Sequence, residues 1–165
     1  MNPPPSRLLV LTDARACPRR LGDQIRLALD GGDFSLVVRE KHLSSERRRE
    51  LAGELAEILQ AAGRRLIVAD PTWPVDACHL SAHTPAPVPR PAIAGRSRHA
   101  GDPPPRGLDY VTYSPIYASA SKPGYGPEIA PAGLARYCRA IARSPEAVPV
   151  YALGGVDDPQ RAAQC

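Results

Sequence analysis

Residues 34–68, FSLVVREKHLSSERRRELAGELAEILQAAGRRLIV, contain the pattern that decides the fold. Phe34–Val38 and Leu66–Val68 are near-continuous apolar runs, typical of strands buried on both faces of a parallel sheet. Between these runs lies an apolar stripe with helical spacing, formed by Leu51, Leu55, Ile58 and Leu59. Ser44 precedes this helix as a suitable N-cap. Because parallel neighbouring strands are usually joined by a crossover helix, the stretch predicts a βαβ unit.

The same alternation continues on both sides of this unit. Further candidate strands, some of them weak, are Arg7–Thr12, Cys78–Leu80, Ala92–Ala94, Leu108–Tyr113 and Val148–Leu153. Further candidate helices cover residues 21–29, ended by Gly31-Gly32, and residues from Pro131 to Ser144-Pro145, with a short last helix starting at Asp158-Pro159. The seven strands and their helices predict an α/β fold, either a barrel or an open sheet.

The middle of the chain breaks the alternation. Between Asp70 and Cys78 the prolines at 71 and 74 leave too little room for a crossover helix. The stretch Thr84–Pro91 and the run Pro103–Pro105 cannot form helix interior, because proline lacks the amide donor that a helix needs. We therefore expect extended, proline-rich connectors where helices would otherwise lie.

Composition limits the classes of function. A chain of 165 residues suggests one domain, residues 1–165, and four scattered cysteines without C-x-x-C spacing suggest a reducing compartment, the cytoplasm. The net charge of +4 comes without a basic stripe interleaved with aromatic residues, so we expect no nucleic-acid partner. The first apolar run is too short for a membrane span, so we expect no membrane partner.

Polar residues gather where the predicted strands end, which is where parallel α/β folds bind ligands. Arg39 and Lys41 would share one face if their strand continued, and two converging cations suit a phosphate or diphosphate. The alternative is a solvated strand terminus on which Glu40 and Lys41 are surface charges. Asp70 could bind a metal ion through its carboxylate, or it could cap the following segment.

Three later positions offer further candidate chemistry. The loop Ser119–Gly126 is rich in hydroxyls and glycine and could surround an anion, although such loops are often ordinary surface loops. Gly154-Gly155 would allow close backbone approach to a phosphate, or would serve a turn with positive φ. His99 is placed at a strand end for proton transfer, although a structural role is commoner for such a histidine.

Taken together, these segments resemble the thiamine phosphate synthase/TenI family of (β/α)8 TIM barrels. The resemblance rests on LTD (11–13), VVREKHLS (37–44), LIVAD (66–70), HL (79–80), GRSRH (95–99), LDYVTYSPIYASASKPGYG (108–126) and VPVYALGGV (148–156). It implies a shortened TIM barrel with about seven strands, whose eighth βα unit is missing. Its synthase members join a pyrimidine methyl diphosphate to a thiazole phosphate and release diphosphate.

By this resemblance each candidate residue acquires an expected role. Arg39, Lys41 and Lys122 would hold the diphosphate, with Asp70 as a ligand of Mg²⁺. Ser97 would contact the pyrimidine, and Ser119, Ser121 and the Gly154-Gly155 backbone would bind the thiazole phosphate.

Departures from the synthase pattern keep two alternatives open. Val37 and Ala69 stand where synthases have glutamine and asparagine, and the second metal-binding aspartate is absent or replaced by Thr84. A TenI-like thiazole tautomerase would need no metal and would use His99 as its acid and base. The third reading is a non-catalytic descendant that binds thiazole phosphate. Exposed strand edges in a shortened barrel also suggest a homodimer.

Overall fold

The computed structural model describes residues 5–118 and 126–165, which form seven strands and four helices. The chain divides into two compact units. Unit 1 comprises Met1–Leu80 and Thr84–Ala94, and unit 2 comprises Ser81–His83 and Gly95–Cys165. None of the described helices combines the length and the apolar character needed to cross a bilayer.

Unit 1 contains four strands in parallel order with two crossover helices. Its elements are β1 (Leu9–Leu11), α1 (Leu21–Leu29), β2 (Ser35–Val38), α2 (Ser45–Ala61), β3 (Leu66–Ala69) and β4 (Ala77–Leu80). Each strand pairs in parallel with the next, with Val37 opposite Ile67 in the β2–β3 register. The core forms where both helices pack on the sheet, and its buried members are Leu21, Ile25, Phe34, Leu36, Val38, Leu55 and Leu59. The βαβ unit predicted from residues 34–68 is confirmed.

The helix ends in unit 1 follow from local sequence. The Ser44 hydroxyl accepts a hydrogen bond from the Arg47 amide at 3.3 Å, which satisfies one of the amides left unpaired at the start of α2. Gly63, with φ of +65°, follows the end of α2 in a left-handed conformation that costs glycine little.

Unit 2 contains the later strands in parallel order. Its elements are β5 (Ile93–Arg98, which enters the unit at Gly95), β6 (Tyr110–Tyr113), α3 (Ala130–Ala142), β7 (Val150–Ala152) and α4 (Pro159–Ala163). β6 pairs with β5 and with β7. Leu134 of α3 forms a buried cluster with Tyr113 and Ile116. The predicted start of the last helix is confirmed, because the Asp158 carboxylate accepts a hydrogen bond from the Arg161 amide at 2.7 Å.

Gly95 lets a tyrosine fill the space above the strands of unit 2. Gly95 lies opposite Tyr110 in the β5–β6 register, and a β-carbon at position 95 would overlap the Tyr110 ring. Tyr110 is completely buried and meets Tyr151 edge to face, with ring centroids 5.5 Å apart. The glycine is therefore a packing requirement of this pair of strands.

The proline-rich connectors are as predicted. Residues 70–76, 81–92 and 99–109 contain no helix, so β3, β4, β5 and β6 follow one another without crossover helices. Proline occupies many of these positions and cannot donate the backbone hydrogen bonds that a helix interior requires.

Two strand boundaries differ from expectation and affect the site. β2 ends at Val38, and the Lys41 amide donates to the Arg39 carbonyl at 2.9 Å, so residues 39–41 form a tight turn. Arg39 and Lys41 therefore do not share a strand face. β5 extends to Arg98, so Ser97 lies within the strand rather than after it, and His99 follows directly.

Candidate active site

In unit 1, polar residues follow the carboxyl ends of three neighbouring strands. Thr12 follows β1, Arg39 follows β2 and Asp70 follows β3. Because the strands are parallel, these ends lie at one edge of the sheet. The Arg39 amide donates to the Thr12 hydroxyl at 3.0 Å, which ties the ends of β1 and β2 together.

The structure brings Lys41 and Asp70 into contact. The Lys41 ammonium lies 2.8 Å from Asp70 Oδ2, with side chains 47% and 20% exposed respectively. Arg39, two residues before Lys41, is half-buried, and no residue among 5–118 and 126–165 pairs with its guanidinium. A partly desolvated arginine that is unpaired within the described residues, two positions from a lysine in the same turn, is suited to a multiply charged anion.

Glu40 holds the turn that carries these two cations. Its side chain is 1% exposed, and both carboxylate oxygens accept from the Ala14 amide, at 3.0 and 3.1 Å. His42 Nδ1 lies 3.6 Å from Glu40 Oε2. Interpreting Glu40 as a surface charge was wrong, because its carboxylate points inward and anchors the segment after β1. Its neighbours Arg39 and Lys41 are the more exposed members of the turn.

Asp70 has an unusual backbone conformation. Its φ of +41° is in the left-handed region, which few residues other than glycine adopt, although aspartate is among the more tolerant. Its amide donates to the His79 carbonyl at 3.0 Å, and its own carbonyl accepts from Arg48 Nη2 at 3.0 Å. The carboxylate that meets Lys41 is thus attached to a backbone held from two sides.

The residues near Asp70 limit how a magnesium ion could be held. Ala69 and Val37, at 2% and 1% exposure, are buried apolar residues that offer no side-chain ligand. The described part of the chain holds no group of three or more histidine, cysteine or acidic side chains close enough to enclose a metal. Magnesium commonly takes one or two carboxylates and completes its coordination with substrate phosphates and water. The donor set fits Mg²⁺ held jointly by Asp70 and a phosphorylated substrate.

In unit 2, His99 is fixed by the backbone after β6. His99 Nδ1 lies 2.8 Å from the Ser114 carbonyl oxygen and 3.4 Å from the Ser114 hydroxyl. A carbonyl only accepts, so Nδ1 carries the proton and Nε2 carries the lone pair of the neutral ring. The His99 amide donates to the Asp102 carboxylate at 2.8 Å, which fixes the backbone at the end of β5.

Gly154 and Gly155 lie against the segment that follows β6. Their φ angles are +93° and +64°. A β-carbon at 154 would lie 2.9 Å from Pro115 Cα, and one at 155 would overlap the Ala118 carbonyl. Close packing therefore requires both glycines, and their contact with a phosphate remains a prediction.

The predicted site residues divide into three groups. Arg39, Lys41 and Asp70 lie in unit 1, where Lys41 contacts Asp70. Ser97, His99, Gly154 and Gly155 lie in unit 2. Ser119, Ser121 and Lys122 lie outside the described residues.

Sequence reasoning missed three residues that contribute to the candidate site. Glu40 stood between two basic residues, Arg48 lay within a run of three arginines, and Ser114 interacts with His99 through its backbone carbonyl as well as its side chain. Only Glu40 had a signal, namely an acidic residue two positions after an apolar strand, where it can turn inward.

Comparison with known proteins identifies the family. The chain is 34% identical to the thiamine-phosphate synthase of Chloroflexus aurantiacus, over 92% of this chain and 74% of that protein. It is 30% identical to the thiamine-phosphate synthase of Moorella thermoacetica, over 94% of this chain and 78% of that protein. No family model matches the chain.

A solved structure shows the fold. The thiamine phosphate pyrophosphorylase from Pyrococcus furiosus superposes with a TM-score of 0.72 at 20% identity, covering 95% of this chain and 78% of that one. The predicted shortened TIM barrel is confirmed, and so is the predicted family. The chain belongs to the thiamine-phosphate synthase family, whose enzymes are transferases of thiamine biosynthesis.

Proposed function

We propose that this chain is a thiamine-phosphate synthase that joins a pyrimidine methyl diphosphate to a thiazole phosphate and releases diphosphate. The observation that carries the proposal is the cationic corner of unit 1, defined as Arg39, Lys41 and Asp70. There Lys41 pairs with Asp70 at 2.8 Å, and the guanidinium of Arg39, two residues before Lys41, has no ion-pair partner among the described residues. The names of the relatives support the same activity.

The proposed reaction breaks the bond between the pyrimidine methylene carbon and a diphosphate oxygen. The bonding electrons leave with the diphosphate, and the thiazole nitrogen then donates its lone pair to the pyrimidine cation. Negative charge grows on the leaving oxygen as the bond breaks. Cations placed beforehand around that oxygen lower the barrier, because they need not reorganise during the reaction. Arg39 and Lys41 fill this role in the proposal.

We also propose Mg²⁺ as the cofactor, with Asp70 as its protein ligand. When bound, the ion neutralises charge on the departing diphosphate. Lys41, 2.8 Å from Asp70 Oδ2, orients that carboxylate and is itself kept near the diphosphate position.

The remaining roles come from the family resemblance and are part of the proposal. Ser97 contacts the pyrimidine, and the Gly154-Gly155 backbone binds the thiazole phosphate together with Ser119 and Ser121. Lys122 adds a third cation to the diphosphate.

The direct test is a coupled assay with both substrates and magnesium. Purified protein should release diphosphate and form thiamine phosphate in equal amounts. Lys41→Met should lower kcat/KM about 100-fold, since a charge-assisted contact to the leaving group is worth about 1.5–3 kcal/mol. Arg47→Met, which removes an exposed arginine of α2, is the matched control and should stay within twofold. No diphosphate release, with an active synthase run alongside, would exclude the transferase activity.

A second candidate, thiazole tautomerisation without a metal, is favoured by the fixed tautomer of His99. The bond between Nδ1 and the Ser114 carbonyl leaves Nε2 as the basic nitrogen of a proton-transfer residue. The protein would then convert a thiazole carboxylate phosphate tautomer in the presence of a chelator, and His99→Ala would abolish the conversion. Binding of thiazole phosphate without either reaction would support the non-catalytic reading.

We also propose a location and an oligomeric state for the protein. We place it in the cytoplasm, as a single domain of residues 1–165 that pairs as a homodimer and acts on small phosphorylated substrates. Light scattering at micromolar concentration should give twice the mass of 17.7 kDa, whereas a single mass would exclude the dimer.

A further inference from the structure

We propose that Arg48 is a positioning residue that holds the carboxylate of Asp70 toward Lys41. The inference deepens the synthase function proposed above and rests on it for the catalytic consequence. Its structural part, the control of the Asp70 conformation, stands on the geometry of unit 1.

Three groups of Asp70 are held by three different elements. The amide donates to the His79 carbonyl of β4 at 3.0 Å, and the carboxylate meets Lys41 at the end of β2. The carbonyl accepts from Nη2 of Arg48 in α2, also at 3.0 Å. A non-glycine residue with φ of +41° persists only when its surroundings hold it there. The Arg48 contact fixes the carbonyl side of this conformation.

Arg48 is a buried cation, unlike the two arginines beside it in the sequence. Arg47 and Arg49 are exposed, but Arg48 is only 7% exposed. Its guanidinium carbon lies 5.4 Å from the centroid of the Trp73 ring, within the range of a cation–π contact. Arginine is rarely buried unless its charge is compensated. The Asp70 carbonyl and the Trp73 face provide that compensation.

The nitrogens of the Arg48 guanidinium differ in their contacts. Arg48 Nε is buried and has no hydrogen-bond partner in the described part of the chain, whereas Nη2 donates to the Asp70 carbonyl. Burial of an arginine with an unpartnered nitrogen carries a desolvation cost, and the hydrogen bond to the Asp70 carbonyl offsets part of it. Rotation of Asp70 out of the left-handed region would swing this carboxylate away from Lys41.

The first experiment measures amide exchange at residue 70 by NMR. In Arg48→Met the Asp70 amide should exchange about tenfold faster, because loss of one hydrogen bond to a charged donor frees the carbonyl and weakens the bond to His79. The Leu36 amide, which donates to the Arg65 carbonyl at 2.9 Å in the same unit, is the internal reference and should stay within twofold. Arg47→Met is the matched control and should leave both amides unchanged.

The second experiment is a double-mutant cycle on kcat/KM for the pyrimidine diphosphate. Arg48→Met should lower kcat/KM about tenfold in the native background and less than twofold in the Asp70→Asn background, because its effect passes through the Asp70 carboxylate. A full tenfold loss in both backgrounds would show that Arg48 acts by another route and would overturn the inference.

The outcomes separate this inference from the proposed function. If the native protein releases no diphosphate, the proposed function fails, and the exchange rate at residue 70 alone decides whether Arg48 positions Asp70. Equal exchange at residue 70 in Arg48→Met and Arg47→Met overturns the positioning role. If Arg48→Met does not fold, Arg48→Gln takes its place, since glutamine is neutral and too short for the same contact, and unchanged exchange there overturns the role equally.

Discussion

The two units differ in the contacts that shape the backbone near their candidate site residues. In unit 1, charged side chains make the contacts: Lys41 meets Asp70, and buried Glu40 anchors the turn of residues 39–41 by accepting from the Ala14 amide. In unit 2, glycines leave room for close neighbours: a β-carbon on Gly95, within β5, would overlap the Tyr110 ring, and one on Gly155, after β7, would overlap the Ala118 carbonyl.

This difference indicates which substitutions affect folding and which affect chemistry. An ion pair with a half-exposed lysine contributes little to stability, about 1 kcal/mol, so changes at Lys41 should alter ligand binding and leave the fold intact. A glycine in a close-packed contact has no room to spare, so any side chain there forces the backbone or its neighbours to move.

The largest effect is expected for Gly95→Ala. The new methyl group would occupy the space of the Tyr110 ring, which is completely buried and cannot move into solvent. We expect a loss of about 3 kcal/mol or more, equivalent to about 10 °C in Tm for a chain of this size. Thermal unfolding followed by circular dichroism measures it.

Gly53→Ala is the matched control for that substitution. Gly53 lies in α2, and a β-carbon there would meet nothing within 4 Å. Alanine should stabilise the helix by about 0.5–1 kcal/mol. Equal stability of Gly95→Ala and Gly53→Ala would contradict the packing role of Gly95.

The next effect compares two glycines with the same backbone conformation. Gly155 and Gly63 have φ of +64° and +65°, but only Gly155 has neighbours within reach of a β-carbon. Gly63→Ala should cost about 1–2 kcal/mol, the conformational penalty alone. Gly155→Ala should cost about 1–3 kcal/mol more, since its methyl group overlaps the Ala118 carbonyl and comes within 2.8 Å of Tyr117 Cβ. Chemical denaturation of both variants checks the difference, and equal losses would refute the contact.

The smallest effect is expected for Tyr137→Phe. The Tyr137 ring stacks on Tyr113 with centroids 3.9 Å apart, and its buried hydroxyl has no hydrogen-bond partner among the described residues. Phenylalanine keeps the stacking and removes the unsatisfied group, so stability should rise by up to about 1 kcal/mol.

The same variant has a defined pH dependence. Burial raises the pKa of Tyr137 above its ordinary value of 10.0. The folded state thus favours the neutral phenol, and this contribution is complete below pH 10 and is lost as the pH rises through the raised pKa. The advantage of Tyr137→Phe should therefore grow above pH 10 in alkaline unfolding curves. A variant that loses stability at high pH as steeply as the native protein would contradict this account.

Much of the fold could be predicted from the sequence because hydrophobic runs and helix caps are local signals. Phe34–Val38 was identified to within one residue of β2, and the N-cap at Ser44 was correct. The end of β5 was misplaced because Arg96 and Arg98 do not look like strand residues. Both are half-buried, and Arg96 Nη1 donates to the Ser81 and Ala82 carbonyls, a contact that depends on tertiary structure.

The candidate site was less predictable for the same reason. Arg39, Lys41 and Asp70 were found because they follow strands, and the family resemblance added their roles. The inward direction of Glu40 and the burial of Arg48 depend on which backbone groups lie opposite them. Neither the spacing nor the composition of residues 39–49 contains that information.

The measurement that tests the central claim most directly is calorimetric binding of inorganic pyrophosphate at one fixed, low salt concentration. The native protein should bind it, Arg39→Met and Lys41→Met should each weaken binding at least tenfold, and Arg47→Met should stay within twofold. Circular dichroism should first show that all four proteins are folded. Equal binding by all four would then contradict the proposal that the cationic corner binds the diphosphate.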